Sequence, residues 1–231
     1  ARANRWSGLA GRRLTSLEVL ARAAEIRPSA ELRDEAIACM ALADLRPGPL
    51  WPGWPAGTHL VGFDAEQKRY ARGDAQGNVS VRTVADDREL FVLKGSGHLV
   101  EWILDFSPDG RFLAVKEQSV GTQVWDLANQ KPRLNVQPDV NYGALAYSRD
   151  SKLLAVGHAD GKVSIYELAT GERLHQLAGP RQPYAVCFHP QGDQLAVGGF
   201  ASNSVSLFSI PEGKPVKTIP TPARVRGLAW S

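Results

Sequence analysis

The sequence predicts a mainly-β chain built from repeated four-stranded units, and three columns of residues predict it. Phe106-Ser107-Pro108-Asp109-Gly110 is echoed by Tyr147-Ser148-Arg149-Asp150-Ser151 and by Phe188-His189-Pro190-Gln191-Gly192. Fainter echoes at Phe63-Asp64-Ala65-Glu66 and Trp230-Ser231 complete aromatic steps of 43, 41, 41 and 42 residues. A second column closes alternating runs: Val79-Ser80-Val81-Arg82, Thr122-Gln123-Val124-Trp125, Val163-Ser164-Ile165-Tyr166 and Val205-Ser206-Leu207-Phe208. Between them lie apolar runs: Phe112-Leu113-Ala114-Val115, Leu153-Leu154-Ala155-Val156 and Leu195-Ala196-Val197. Short period-two runs punctuated by Gly, Asp and Pro read as strands joined by tight turns. A period of this size with four strands per repeat is that of propeller blades. The fold class is therefore a β-propeller of four blades plus the first strand of a fifth, preceded by an α-helical hairpin.

The elements follow in order. Residues 1–46 form the hairpin: Leu14, Leu17, Leu20 (or Ala21) and Ala24 recur at helical spacing, Arg27-Pro28-Ser29 interrupts, and Leu32, Ala36, Cys39 (or Met40) and Ala43 mark a second helix. Ser29 suits an N-cap, and Glu31, Asp34 and Glu35 suit the positive end of that helix. Residues 47–57 are a linker whose four prolines and three glycines exclude helix and central strand, with Trp51 and Trp54 expected to tether it to the blade surface. The blades span about 58–97, 98–140, 141–182 and 183–224, with a fifth starting at 225–231. Each has a polar fourth strand, at Glu89 to Leu93, Arg133 to Val136, Arg173 to Leu177 and Pro215 to Ile219, as an outer edge requires. Asp160-Gly161 reads as a two-residue hairpin turn with positive φ at both positions.

The Phe-Ser-Pro-Asp-Gly run, Gly97-His98 before it and Trp125-Asp126 after it resemble WD-repeat propeller blades over roughly Thr58 to Ser231. The resemblance implies a hydrogen-bonded set of Asp, His, Ser or Thr, and Trp in each blade. Here the sets are degenerate. The second repeat has His98 and Trp125 but no turn Asp. The third has Asp160, but Tyr166 replaces Trp and Val156 sits at the Ser position. Apolar packing is expected to carry blade stability instead.

The chain of 231 residues is 43% apolar and 22% charged, within the range of a folded globular protein. Its net charge of +3 is spread thinly, and the arginines at Arg2, Arg5, Arg12 and Arg13 read as a solvated helix edge, so no nucleic-acid partner is expected. Cys39 and Cys187 are expected to be buried free thiols. No apolar run reaches the length of a membrane helix. The chain opens on Ala and stops one strand into a repeat, so it is expected to be cut from a longer protein. An open arc of four blades is expected to expose an apolar face at each end, so that either the parent protein supplies more blades or a second copy closes the ring as a homodimer, and the chain alone is expected to be unstable or self-associating.

A second resemblance covers residues 1–57. Arg12-Arg13, Ser16-Leu17-Glu18, Arg27-Pro28-Ser29, Glu31-Leu32-Arg33-Asp34-Glu35-Ala36-Ile37-Ala38-Cys39 and Asp44-Leu45-Arg46 look like the segment ahead of the propeller in bacterial serine/threonine protein kinases of the planctomycete and verrucomicrobial type. That resemblance implies a sensor or docking region outside the membrane, in a membrane-anchored parent whose kinase domain lies elsewhere.

No catalytic residue, metal site or cofactor is expected. There is no phosphate-cradling loop ahead of a Val-Ala-Ile-Lys strand and no His-Arg-Asp loop, and Asp105-Phe106-Ser107 sits inside a blade. His59, His98, His158, His175 and His189 are scattered among repeats. Asp109, Asp150 and Asp193 recur with the period and read as turn residues. Asn78-Val79-Ser80 fits a glycosylation sequon but doubles as a hairpin turn. Propellers bind partners on the end formed by loops joining one blade's outer strand to the next blade's inner strand. There the chain offers His98, Glu101 and Trp102, then Asn141 and Tyr142, then Arg181, Gln182 and Tyr184. The expected function is a non-catalytic protein- or peptide-interaction and sensing module of a receptor-like kinase. A free-standing scaffold is the alternative. A propeller enzyme fits worst, because the inner strands carry mostly Val, Ala and Leu.

Overall fold

A left-handed residue recurs at one place in every repeat. In the computed structural model the turns that carry the motif place Gln67 (φ 55°), Gly110 (φ 67°), Ser151 (φ 57°) and Gly192 (φ 79°) at equivalent positions. Each turn is closed from inside. Ser107 Oγ donates to Asp109 at 2.6 Å and accepts from the Phe112 amide at 2.9 Å, and Ser148 does the same with Asp150 and the Leu153 amide at 2.7 and 2.9 Å. In the first repeat Asp64 accepts from the Lys68 and Arg69 amides, and in the fourth His189 pairs with Asp193 at 2.9 Å. These aspartates are turn residues, as their period requires. The structure describes residues 2–45, 56–136 and 140–230, without the side chains of 59, 102, 103 and 140–143. Trp51, Trp54 and the rest of 46–55 lie outside the described residues.

Four antiparallel four-stranded sheets follow one another in chain order. They are β1 (Thr58–Phe63), β2 (Arg69–Asp74), β3 (Val79–Thr83) and β4 (Glu89–Leu93); β5 (Val100–Phe106), β6 (Phe112–Glu117), β7 (Gly121–Asp126) and β8 (Lys131–Val136); β9 (Val140–Tyr147), β10 (Leu153–His158), β11 (Lys162–Glu167) and β12 (Arg173–Ala178); and β13 (Pro183–Phe188), β14 (Gln194–Gly199), β15 (Ser204–Ser209) and β16 (Lys214–Pro220). Within each sheet every strand pairs with its sequence neighbour, and the inner strands β1, β5, β9 and β13 lie side by side. The outer pairing slips by a bulge at the same point in each blade, between Val81/Arg82, Val124/Trp125, Ile165/Tyr166 and Leu207/Phe208. A bulge there bends the edge away from further pairing. The Asp160-Gly161 turn differs from expectation. Gly161 alone has positive φ (93°), and its amide donates to His158 O at 3.1 Å, so the turn takes in Ala159 as well. Lys162 is held by the Asp160 side chain instead.

Blades stack large against small. The column Ala71, Ala114, Ala155 and Ala196 faces the next blade, whereas Leu113/Val115, Leu154/Val156 and Leu195/Val197 face the previous one. Polar links lock the same seams. Arg69 reaches Gly110 O at 2.7 Å, the Asp109 amide reaches Ser151 Oγ at 3.0 Å, and Arg133 reaches Leu168 O at 3.1 Å. The Ser at 151, costlier than Gly in a left-handed turn, thereby supplies an acceptor across a seam.

The end faces correct the expectation of two bare apolar surfaces. On the first blade, the positions that hold Leu and Val elsewhere are Tyr70 and Arg72, and the aromatic slot holds Arg82. Arg82 Nε donates to Asp87 at 2.6 Å and Nη1 to Glu89 at 3.0 Å, and the Tyr70 hydroxyl also donates to Asp87. The Tyr70 and Arg82 donors hold the Asp87 carboxyl below its ordinary range, and burial pushes the Tyr70 hydroxyl up. At the other end, residues 224–230 form no ladder, because no second strand among the described residues lies beside them to pair with. They still cover the fourth blade. Val225 packs with Ala185, Ala196 and Val205, with Leu228 and Trp230 beside them. The Trp230 indole donates to Cys187 O at 3.2 Å and meets His189 edge-on at 4.8 Å. Gly198 has no Cβ because one would run into Val225. Cys187 is half-buried rather than buried, while Cys39 is fully buried, and both are free thiols.

Residues 2–45 belong to a separate compact unit. It holds α1 (Arg2–Arg5), α2 (Arg12–Ile26) and α3 (Ala30–Met40). α2 packs on α3, burying Leu20 and Cys39 and leaving Ala21, Ala24, Met40 and Ala43 exposed. Ser29 caps α3, accepting from the Leu32 amide at 3.3 Å. Gly11 occupies the N-cap of α2 without a side chain, and Asp44 supplies the anion from a distance, accepting from the amides of Gly11 and Arg13 at 2.9 and 2.7 Å. Although desolvation opposes it, those amides hold the Asp44 carboxyl below its ordinary range.

Leu154 is fully buried in the seam between the second and third blades. Leu154→Ala is expected to cost about 2–5 kcal/mol, read from the urea midpoint, because rigid sheets on both sides limit collapse of the cavity. A cost below about 1 kcal/mol contradicts a seam packed in this way.

Candidate partner-binding end

The turns between second and third strands and the loops between blades meet at one end of the sheets. Backbone hydrogen bonds stitch them together: Gly97 to Gln76 O at 3.0 Å, Gln118 to Leu99 O at 2.8 Å, Gly179 to Gly161 O at 2.9 Å, Phe200 to Gln182 O at 2.9 Å and Thr221 to Asn203 O at 2.8 Å. The predicted face therefore rests on a fixed frame, and its side chains fall into two groups.

The first group surrounds the end of the second blade. Glu117, at 1% exposure, accepts from the Ser96 amide at 2.9 Å and from Ser96 Oγ at 2.5 Å. His98 is exposed, with Nδ1 at 3.2 Å from Ser96 Oγ. Beside it, Lys116 and Glu101 pair at 3.6 Å, largely out of solvent. A hydroxyl has one proton, Ser96 gives it to Glu117, and the carboxylate then orients the serine rather than the imidazole. The cluster pins the β4–β5 loop and holds His98 outward.

The second group lies on the fourth blade. Arg181 and Gln182 are exposed, Gln182 with φ 50°. Tyr184 stacks on Phe200 with centroids 5.4 Å apart, and the Arg224 guanidinium lies 4.5 Å above the Phe200 ring. Phe200 and Arg224 escaped the sequence reading. The signal for Phe200 was an aromatic at a turn position held by Ala75, Gln118 and Ala159 in the other repeats. The two groups make no hydrogen bond or ion pair with each other among the described residues. The side chains of Trp102, Asn141 and Tyr142 lie outside the described residues, so their place on this face stays an expectation.

The third repeat holds a polar pair that the sequence reading had not assembled. His158 Nε2 lies 2.8 Å from Ser164 Oγ, both buried. The serine comes from β11, not from the Val156 position. Trp125-Asp126 closes differently again. Asp126 accepts from Arg111 at 3.2 Å and from the Ala128 amide at 3.1 Å, which hold its carboxyl low against the desolvation that raises it. No group of three or more His, Cys, Asp or Glu able to hold a metal occurs among the described residues, and none of the described helices is long and apolar enough to cross a membrane.

Comparison with known proteins agrees with this architecture. The family described as the anaphase-promoting complex subunit 4 WD40 domain matches residues 118–183. An uncharacterized WD repeat-containing protein of Synechocystis is 28% identical over 118 residues, covering 50% of this chain and 34% of that protein. Protein groucho of Drosophila melanogaster is 30% identical over 115 residues, covering 48% of this chain and 16% of its own length. A chain in the crystal structure of a mitotic checkpoint complex superposes with a TM-score of 0.61 at 22% identity, over 76% of this chain and 56% of the other. The chain thus spans about a third or less of these two curated relatives. The match to a WD40 family model is confined to residues 118–183, and the chain has a propeller-like fold.

Glu117→Ala is expected to free the β4–β5 loop, raising amide hydrogen exchange at Ser96 about tenfold or more, while Glu117→Gln, which still accepts hydrogen bonds, raises it less. Equal exchange in both variants and the parent contradicts the pinning role.

Proposed function

We propose that this chain is the interaction and sensing part of a receptor-like bacterial serine/threonine protein kinase, taking a protein or peptide partner on the end that carries His98, Glu101, Arg181, Gln182 and Tyr184. One observation carries the reading of that end. Its loops are fixed to neighbouring turns by backbone hydrogen bonds, yet His98, Arg181 and Gln182 point to solvent and take no part in stacking the blades. A rigid frame with free polar and aromatic side chains is the arrangement that binds without ordering cost. Trp102, Asn141 and Tyr142 are proposed for the same face from the sequence. The kinase parent is supported by the residues quoted from 12–46, and an upstream reading frame with a kinase domain and a membrane helix separates it from a free-standing scaffold.

Closure of two copies through their open ends gains little from the chemistry of those ends. Arg72 would enter a seam that elsewhere takes Val115, Val156 or Val197, and the opposite face is already covered by Val225, Leu228 and Trp230.

The test is a random-peptide display selection on the immobilised chain. Selected binders are expected to weaken about tenfold or more on His98→Ala, Glu101→Gln or Gln182→Ala and to hold on Lys152→Glu at the opposite end. Binders that ignore the first three changes and fail on Lys152→Glu overturn the assignment of this end.

A further inference from the structure

We infer that the shelf made by Tyr184, Phe200 and Arg224 on the fourth blade, with Arg181 beside it, binds an acidic peptide segment through its carboxylates. This rests on the reading of the chain as an interaction module and deepens it by naming the partner's chemistry.

The shelf is assembled from three separate stretches. Tyr184 begins the inner strand, Phe200 sits in the β14–β15 turn, and Arg224 follows the outer strand. The Phe200 amide to Gln182 O bond at 2.9 Å fixes two of these stretches to each other. Arg181 O passes Gly199, where a Cβ would lie only 3.1 Å from it, so the Arg181 backbone runs directly beside the Phe200 turn. A guanidinium 4.5 Å above a ring is attracted to the ring face, and the edge that carries its N–H groups is left for a second partner. That edge is the fork that grips a carboxylate through two hydrogen bonds.

Nothing in the described chain uses the fork. Arg181 and Arg224 are exposed and have no ion pair or hydrogen bond among the described residues. Several cations of the other blades are paired. Arg69, Arg82, Arg111, Lys116 and Lys162 each have an acidic partner within 4 Å. The shelf is therefore a local positive site, and the half-buried rings of Tyr184 and Phe200 beside it give an apolar side chain on the same ligand something to pack on. A peptide fits better than a nucleic acid. A strand of phosphates needs cations along a track, but the neighbouring third-blade turn carries Asp160, paired with Lys162, and the second blade carries Glu101, paired with Lys116.

The experiment is fluorescence anisotropy on the whole chain with three labelled probes: a peptide of Asp and Glu around one Trp, its Asn/Gln counterpart, and a single-stranded oligothymidylate. The acidic peptide is expected to bind about tenfold or more tighter than the neutral one, with the gap closing as salt is raised. Arg224→Ala and Phe200→Leu are each expected to lose about tenfold, and Arg181→Ala less, at an unchanged urea midpoint. Acidic-peptide binding that survives Arg224→Ala and Phe200→Leu but falls on His98→Ala overturns the shelf and leaves the interaction reading standing. Equal binding of both peptides, binding of neither, or preference for the oligothymidylate also overturns it. The display selection tests the broader reading separately.

Discussion

The structure depends on four-stranded sheets packing face to face through a single layer of side chains. Two sheets at the usual spacing leave room for one large residue per position, not two. The chain meets this by setting an alanine column against a Leu/Val column at every seam, with Ala71, Ala114 and Ala155 fully buried. Other features follow from that layer. The turn left-handers at Gln67, Gly110, Ser151 and Gly192 bring consecutive strands back in register, and the outer bulges keep the charged edge strands from extending the sheet. A blade's stability is thus largely its neighbour's surface, as in any stacked repeat.

The same layer explains why the two ends differ. The first blade presents Tyr70, Arg72 and Arg82 where a stacked blade would present Leu, Val and an aromatic, and Asp87 and Glu89 neutralise Arg82 in place. The fourth blade presents Ala196, Gly198 and Val205, which accept an apolar layer, and Val225, Leu228 and Trp230 supply it. Polar side chains that have no role in the seams collect instead on the end formed by the loops between blades. That division of labour leaves the loop end on a frame whose fold does not depend on its exposed side chains, and it lets Phe200 and Arg224 vary from the repeat pattern without disturbing a seam.

The blades were legible in the sequence because the forces that build them are local and periodic. Alternating apolar runs, an aromatic at a fixed step and a turn motif carry their own register, and the strands fall where those runs put them. Ser29 was legible as a cap for the same reason. What escaped was built across stretches far apart in the chain. Tyr184, Phe200 and Arg224 meet only once the fourth blade has folded, and Ser164 finds His158 only across a strand pairing. The charged face of the first blade was visible as Arg82 in an aromatic slot, but its consequence needed Tyr70 and Arg72 on the same side of the sheet. The Asp160-Gly161 turn was misjudged because a type I turn closed by a left-handed glycine uses the same two residues as a tighter hairpin.

The central claim is that the first blade's outer face carries charged groups and the fourth blade's is covered by residues 225–230. The most direct measurement is the solution mass of the chain by light scattering after size exclusion, across a range of concentrations. The account predicts the mass of a single chain throughout, with Arg72→Val shifting the protein toward self-association. A stable dimer of the unaltered chain, unaffected by Arg72→Val and dispersed by Val225→Asp, would contradict it.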